Sequence, residues 1–169
     1  MNLLTSDSVP YILASLFLEE VHRGHIWVPR CVTDDGADVI VTVLRSRSQL
    51  DLTIHVDTDN GYASIWEVAR SLTDRAGSST AVIGSVAKSA GLIVSVACDR
   101  RICQPNTEFL YHGSPFKSGA DDDRQKAKWF TSRTSMPEDF WLEMAMGGED
   151  HIFGADDAMA WGVVHEISK

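Results

Sequence analysis

The run Ile83–Cys98, IGSVAKSAGLIVSVAC, constrains this chain more than any other segment. It is apolar on both sides of Lys88-Ser89-Ala90-Gly91, the pattern of a buried strand turning into a buried helix. A helix opening at Ser89 would direct unpaired backbone N–H groups and the positive end of its dipole past that residue. Taken alone, Ser89 reads best as a helix N-cap. The same placement also suits a nucleophile, because a serine hydroxyl presented beside free amides lies next to a ready site for an oxyanion.

Composition narrows the partners. The 169 residues carry a net charge of −9, with 44% hydrophobic and 23% charged residues, as expected of a single globular domain spanning 1–169. No basic stripe exists to neutralise phosphates, which argues against nucleic acid and anionic membranes. The apolar run around Ser89 is broken by Ser85, Lys88 and Ser95 and reads as core rather than as a membrane span. The first residues lack the basic, apolar and small-residue pattern of a secretory signal. Cys31, Cys98 and Cys103 have no metal-ligand spacing and fit reduced thiols, so the expected setting is the cytoplasm and no metal is expected. Asp121-Asp122-Asp123 reads as a solvated loop or helix start rather than as a metal site.

Elements alternate along the chain. A helix is predicted from Pro10 to His22, followed by a short strand at Ile26-Trp27-Val28. Residues 37–48 stay open: the β-branched run favours a strand, whereas Thr33, Asp34 or Asp35 would cap a helix with Val39, Ile40, Val43 and Leu44 on one face. Leu52–Val56 is a strand, then the turn Asp57-Thr58-Asp59-Asn60-Gly61 leads to a helix from about Ala63 to Asp74. Thr80–Ile83 is the strand before Ser89. Arg101–Gln104 and Glu108–Tyr111 are strands parted by Pro105-Asn106. Helices follow near Asp122–Thr134, from Pro137, and over Asp156–Trp161, with Val163–Ile167 as a closing strand. Strands alternating with helices imply an α/β domain with right-handed crossovers.

His112 ends the apolar strand Phe109-Leu110-Tyr111, and Asp150 precedes the apolar segment His151-Ile152-Phe153. Each alone is an ordinary surface or turn residue. With Ser89 they supply, in the order Ser, His, Asp, the nucleophile, base and orienting carboxylate of a hydrolytic triad. Lys88 is adjacent to Ser89 but is expected to point elsewhere, as neighbouring residues at a helix start do.

The flanks of these residues resemble the ClpP family, the proteolytic subunit of the caseinolytic protease. Gly84-Ser85-Val86-Ala87-Lys88-Ser89-Ala90-Gly91 is similar to the family's Gly-x-Ala-x-Ser-x-Gly turn with one residue inserted. Gln104-Pro105-Asn106 followed by Thr107–His112 matches the Pro-Asn turn and strand that carry its histidine. Asp150 through Val163, with the acidic Ala-rich helix and Trp161-Gly162-Val163, follows the segment that carries its aspartate. The likeness runs from about Gly24 to Glu166.

This resemblance implies a ClpP/crotonase-like spiral of ββα units, with residues 1–23 as an N-terminal helix and 121–145 as a shortened handle-like helical region. It implies a serine endopeptidase with Ser89 as nucleophile, His112 as general base and Asp150 as orienting carboxylate. The oxyanion would be held by the amide of Ala90 and by the Asn60-Gly61 turn, and no cofactor is called for. The family's turn resembles Asn-Ser-Pro-Gly-Gly, where this chain has Asp57-Thr58-Asp59-Asn60-Gly61. The substrate would be a peptide or unfolded protein, bound as an added strand within a self-assembled homo-oligomeric ring. Met1–Pro10 is too short for the family's axial loops, so an ATP-driven unfoldase partner is not implied. Two other readings compete: a non-catalytic ring or scaffold subunit, and an acyl-CoA enzyme of the crotonase type.

Overall fold

The computed structural model describes residues 20–113, 120–146 and 149–169. Most of the helix expected over Pro10–His22 lies outside these; residues 20–22 are helical.

The centre is a parallel sheet in the order β1-β3-β5-β6-β9, formed by β1 (His25–Val28), β3 (Leu52–Thr58), β5 (Ser79–Lys88), β6 (Arg100–Cys103) and β9 (Glu166–Ile167). Side chains alternate along β3, with Leu52, Ile54 and Val56 inward, which fixes its register against β5 (Ile54 opposite Ala81, Val56 opposite Ile83). The ten-residue β5 serves two neighbourhoods. Thr80–Ile83 pairs with β6, and Val86–Lys88 pairs in parallel with β7 (Glu108–Tyr111), which in turn pairs antiparallel with β8 (His151–Phe153). The register of β3 against β5 slips between Val56 and Thr58. Asp57 closes that irregularity, accepting hydrogen bonds from Ser85 Oγ at 2.8 Å and from the Val86 amide at 3.0 Å. A two-stranded parallel piece, β2 (Cys31–Val32) with β4 (Asn60–Gly61), sits over the end of β3.

Of residues 37–48, open between strand and helix, 37–46 belong to α1 (Asp34–Ser46) and the last two form a turn. Thr33 Oγ1 accepts from the Gly36 amide at 3.2 Å, two aspartates occupy the first turn, and Ala37, Ile40, Val41 and Leu44 are buried on one face. A cap, favourable charge and a 3.6-residue period together outweigh the β-propensity of the valines. Helix α2 (Ile65–Thr73) packs by Ile65, Val68, Ala69 and Leu72. Helix α3 (Ala90–Ala97) has all eight residues buried, including Ser95, whose hydroxyl donates to Gly91 O at 2.8 Å. Its Leu92, Ile93, Val94 and Val96 each contribute about 1.5–3 kcal/mol of hydrophobic burial.

The carbonyls at the C-terminal end of α3 are taken by two arginines. Arg101 Nη1 donates to Val96 O at 3.0 Å, and Arg133 Nη2 donates to Ala97 O at 2.6 Å. Burial beside Arg133 brings the Arg101 guanidinium down to about 10.

Helices α4 (Ala120–Arg133) and α5 (Glu138–Met146) pack on each other through Phe130 and Trp141, both fully buried. Asp121–Asp123 form the first turn of α4, as the sequence suggests. Helix α6 (Ala155–Ala160) precedes β9. Several elements differ from expectation: where a turn over residues 57–61 is expected, β3 runs on to Thr58 and Asn60–Gly61 pairs as a strand, and β5 continues past Ile83 to Lys88. The closing strand covers only Glu166–Ile167, because Val163 and Val164 are buried in a turn whose amides return to Ala158. His151–Phe153 is a strand, too short to show a period in sequence. The three cysteines are free, with Cys98 and Cys103 buried and Cys31 exposed.

Candidate active site

Ser89 joins β5 to α3 with φ 49° and ψ −105°, and it is the one non-glycine residue at positive φ among the described residues. Such backbone costs about 1–3 kcal/mol and persists only where its surroundings enforce it. Here the Ser89 amide donates to Leu110 O at 3.0 Å and the Ser89 carbonyl accepts from Ile93 N at 3.2 Å. Gly91 tightens the turn, since a Cβ there would lie 2.4 Å from Thr58 O. The Ser89 side chain makes no capping hydrogen bond to the helix. The N-cap role that suits the residue in sequence is therefore not the one its hydroxyl adopts.

That hydroxyl instead lies 2.8 Å from Nε2 of His112, just beyond the end of β7. The other ring nitrogen, Nδ1, lies 2.6 Å from the carbonyl oxygen of Gly113. A carbonyl only accepts, so Nδ1 carries the proton and Nε2 offers its lone pair to the serine O–H. This is the tautomer a general base needs. The pairing of β5 with β7 (Lys88 opposite Leu110) brings the two residues together across 23 positions of sequence.

Asp150 is not part of this arrangement. It is exposed, immediately before β8, and no hydrogen bond among the described residues joins it to His112. The Gly113 carbonyl occupies the position at Nδ1 that the sequence suggests for a carboxylate. A backbone carbonyl leaves no trace in a residue pattern, so no sequence signal could have identified it.

Strand β4 (Asn60–Gly61) sits directly against the start of α3: a Cβ on Gly61 would lie 2.6 Å from Ala90 Cβ. The amide of Ala90 opens α3 and has no carbonyl one turn back within that helix. The Gly61 amide, by contrast, donates to the side-chain oxygen of Asn60 at 2.8 Å. Asp59, just before β4, pairs with Arg30 at 2.8 Å. Lys88 turns away from Ser89 to an ion pair with Glu108.

Ser89, Ala90, Gly61 and His112 open onto a cleft of about 1130 Å³ whose far wall carries Trp66 and Trp129, packed edge to face at 5.3 Å. Among the described residues no cluster of metal-ligating side chains exists, and no helix is long and apolar enough to cross a membrane.

Sequence reading overlooked Lys126 of α4, whose Nζ donates to the carbonyl oxygen of His112 at 2.6 Å and stands 4.5 Å from the centre of the Tyr111 ring. Its signal was available: Trp129 and Phe130, three and four residues on, place it on the apolar side of α4.

No protein-family model matches the chain, and no curated protein does. The solved structure of a ClpP1 mutant from Listeria monocytogenes superimposes with a TM-score of 0.80 at 14% identity, covering 91% of this chain and 96% of that one. The chain has a ClpP-like α/β fold.

Proposed function

We propose that the chain is a serine-type endopeptidase in which Ser89 attacks the peptide carbonyl and His112 acts as general base. The observation that carries this reading is the 2.8 Å contact between His112 Nε2 and the Ser89 hydroxyl, at a residue held in positive-φ backbone.

Nε2 takes the hydroxyl proton as Ser89 Oγ bonds to the carbonyl carbon. The resulting oxyanion meets the Ala90 amide at the N-terminus of α3. Collapse expels the amine, protonated by His112, and leaves an acyl group on Ser89. Water then repeats the sequence with His112 again as base, releasing the acid. In the geometry observed, the Gly113 carbonyl holds Nδ1–H and so fixes the tautomer. The triad form of the reading, with Asp150 as orienting carboxylate, requires that carboxylate to displace the Gly113 carbonyl. The substrate would be a peptide or unfolded protein lying extended in the cleft beside Gly61 and Ala90, and the working form a homo-oligomeric ring in the cytoplasm. Ser89→Ala tests the reading: cleavage of peptides and of unfolded protein is expected to vanish while the fold is retained. Undiminished cleavage by the variant would contradict it.

One observation favours a second reading, a ring or scaffold subunit of low activity. The Gly61 amide, the second expected oxyanion donor, is engaged by Asn60. Normal assembly without cleavage of any peptide would support that alternative.

A further inference from the structure

Lys126 presents a cost without an evident structural return. Its ammonium stands over the Tyr111 ring, and burial pushes it down to about 8, against an opposing pull from Asp123 one turn earlier. A methionine at this position would fill the same space without desolvating a charge. Among the described residues the lysine supplies a hydrogen bond from Nζ to the carbonyl oxygen of His112 at 2.6 Å, supplemented by the face of the Tyr111 ring.

That bond has a consequence for the base. The His112 carbonyl belongs to the peptide that joins His112 to Gly113, and fixing its oxygen fixes the plane from which the next carbonyl departs. The next carbonyl, on Gly113, is the acceptor for His112 Nδ1 at 2.6 Å. Gly113 is held from the other side by α5, where a Cβ would lie 2.2 Å from Ala145 O. The dipeptide is thus clamped between Lys126 of α4 and the end of α5, and the imidazole takes its direction toward Ser89 from that clamp.

We propose that Lys126 is a positioning residue for His112, holding the His112–Gly113 peptide so that the Gly113 carbonyl orients Nδ1 and Nε2 faces Ser89. The inference rests on the serine-peptidase reading for its effect on rate, but not for its effect on the imidazole. Lys126 touches neither the serine nor the substrate carbonyl in this scheme; it acts through His112.

The test compares Lys126→Met with Lys126→Arg, the latter retaining an N–H donor of similar reach. Two readouts are taken: the rate of labelling of Ser89 by a fluorophosphonate, and the proton resonance of His112 Nδ1–H. Displacing the base by a fraction of an ångström is expected to slow labelling about 10- to 100-fold in Lys126→Met. The Nδ1–H resonance should shift or be lost in that variant, and Lys126→Arg should restore both in part. Unchanged resonance and labelling in a folded Lys126→Met protein would overturn the inference. Should Lys126→Met fail to fold, Lys126→Arg alone decides: a resonance kept near its original position supports the clamp, and its loss contradicts it. If the unmodified protein is not labelled at Ser89, the peptidase reading falls, and the resonance still decides the role of Lys126.

Discussion

The amide of Gly61 donates to the side-chain oxygen of Asn60 at 2.8 Å, within the short strand β4 pressed against Ala90 at the start of α3. The donor best placed to join the Ala90 amide at an oxyanion is therefore already paired. Replacing Asn60 by glycine removes the competing acceptor and leaves the Gly61 amide available to the cleft. Asn60→Gly should increase the rate of Ser89 acylation by about tenfold or more, within the 10²–10³ that a whole oxyanion donor is worth. Pre-steady-state release from an activated ester measures it.

His112 Nδ1 is held by the Gly113 carbonyl while Asp150 is exposed. Asp150→Asn should accordingly lower kcat by less than about tenfold. A carboxylate acting as the third member of a triad would cost on the order of 10⁴ on the same change. The kcat of this variant on a peptide substrate separates a dyad from a triad.

Asp57 joins Ser85 and Val86 across the register slip of β3 and β5. Its carboxyl is held below the usual range, first by the Ser85 hydroxyl and then by the Val86 and Ser85 amides, against the opposing effect of burial. A carboxylate depressed in the folded state stabilises it at pH values above its unfolded pKa, about 3.9. That contribution is lost as pH falls through the lower, folded value. Urea midpoints measured from pH 6 downward should fall below about pH 4 for the natural protein. Asp57→Asn should start lower at pH 6 and show a weaker decline.

Glycine at 91 is required by close approach rather than by positive φ. A Cβ would meet Thr58 O at 2.4 Å, a backbone atom that cannot give way without moving β3. Gly91→Ala should destabilise by about 1–3 kcal/mol, the range for overpacking, and should also displace the Ser89 turn. Gly154, around which a Cβ meets nothing within 4 Å, is the control, and Gly154→Ala should leave the thermal midpoint nearly unchanged.

Much of this fold is legible in the chain because its signals are local. The apolar run around Ser89 specifies β5 and α3, and the alternation in Leu52–Val56 specifies β3. Residues 37–48 could not be decided from propensity, since the valines and the Thr33 cap point in opposite directions until the face packs. The two-residue strands Cys31–Val32 and Asn60–Gly61 carry no periodicity at all and exist through their mutual pairing. The site divides in the same way. Ser89 and His112 are marked by turns at the ends of recognisable strands, and the strand pairing brings them together. The group that meets His112 Nδ1 is a backbone carbonyl, invisible to residue type, and Lys126 stands in a charged run where Trp129 and Phe130, three and four residues on, mark its side of the helix. Asp150 has the sequence context of a site residue without the contact.

The central claim is that Ser89, activated by His112, is a nucleophile. Treatment with a fluorophosphonate, followed by intact-mass measurement and peptide mapping, tests it directly. The account predicts one adduct per chain, located on Ser89 and slowed at least 10²-fold in His112→Ala, the scale of lost general-base catalysis. No adduct, or one that forms at an undiminished rate in His112→Ala or persists in Ser89→Ala, would contradict it.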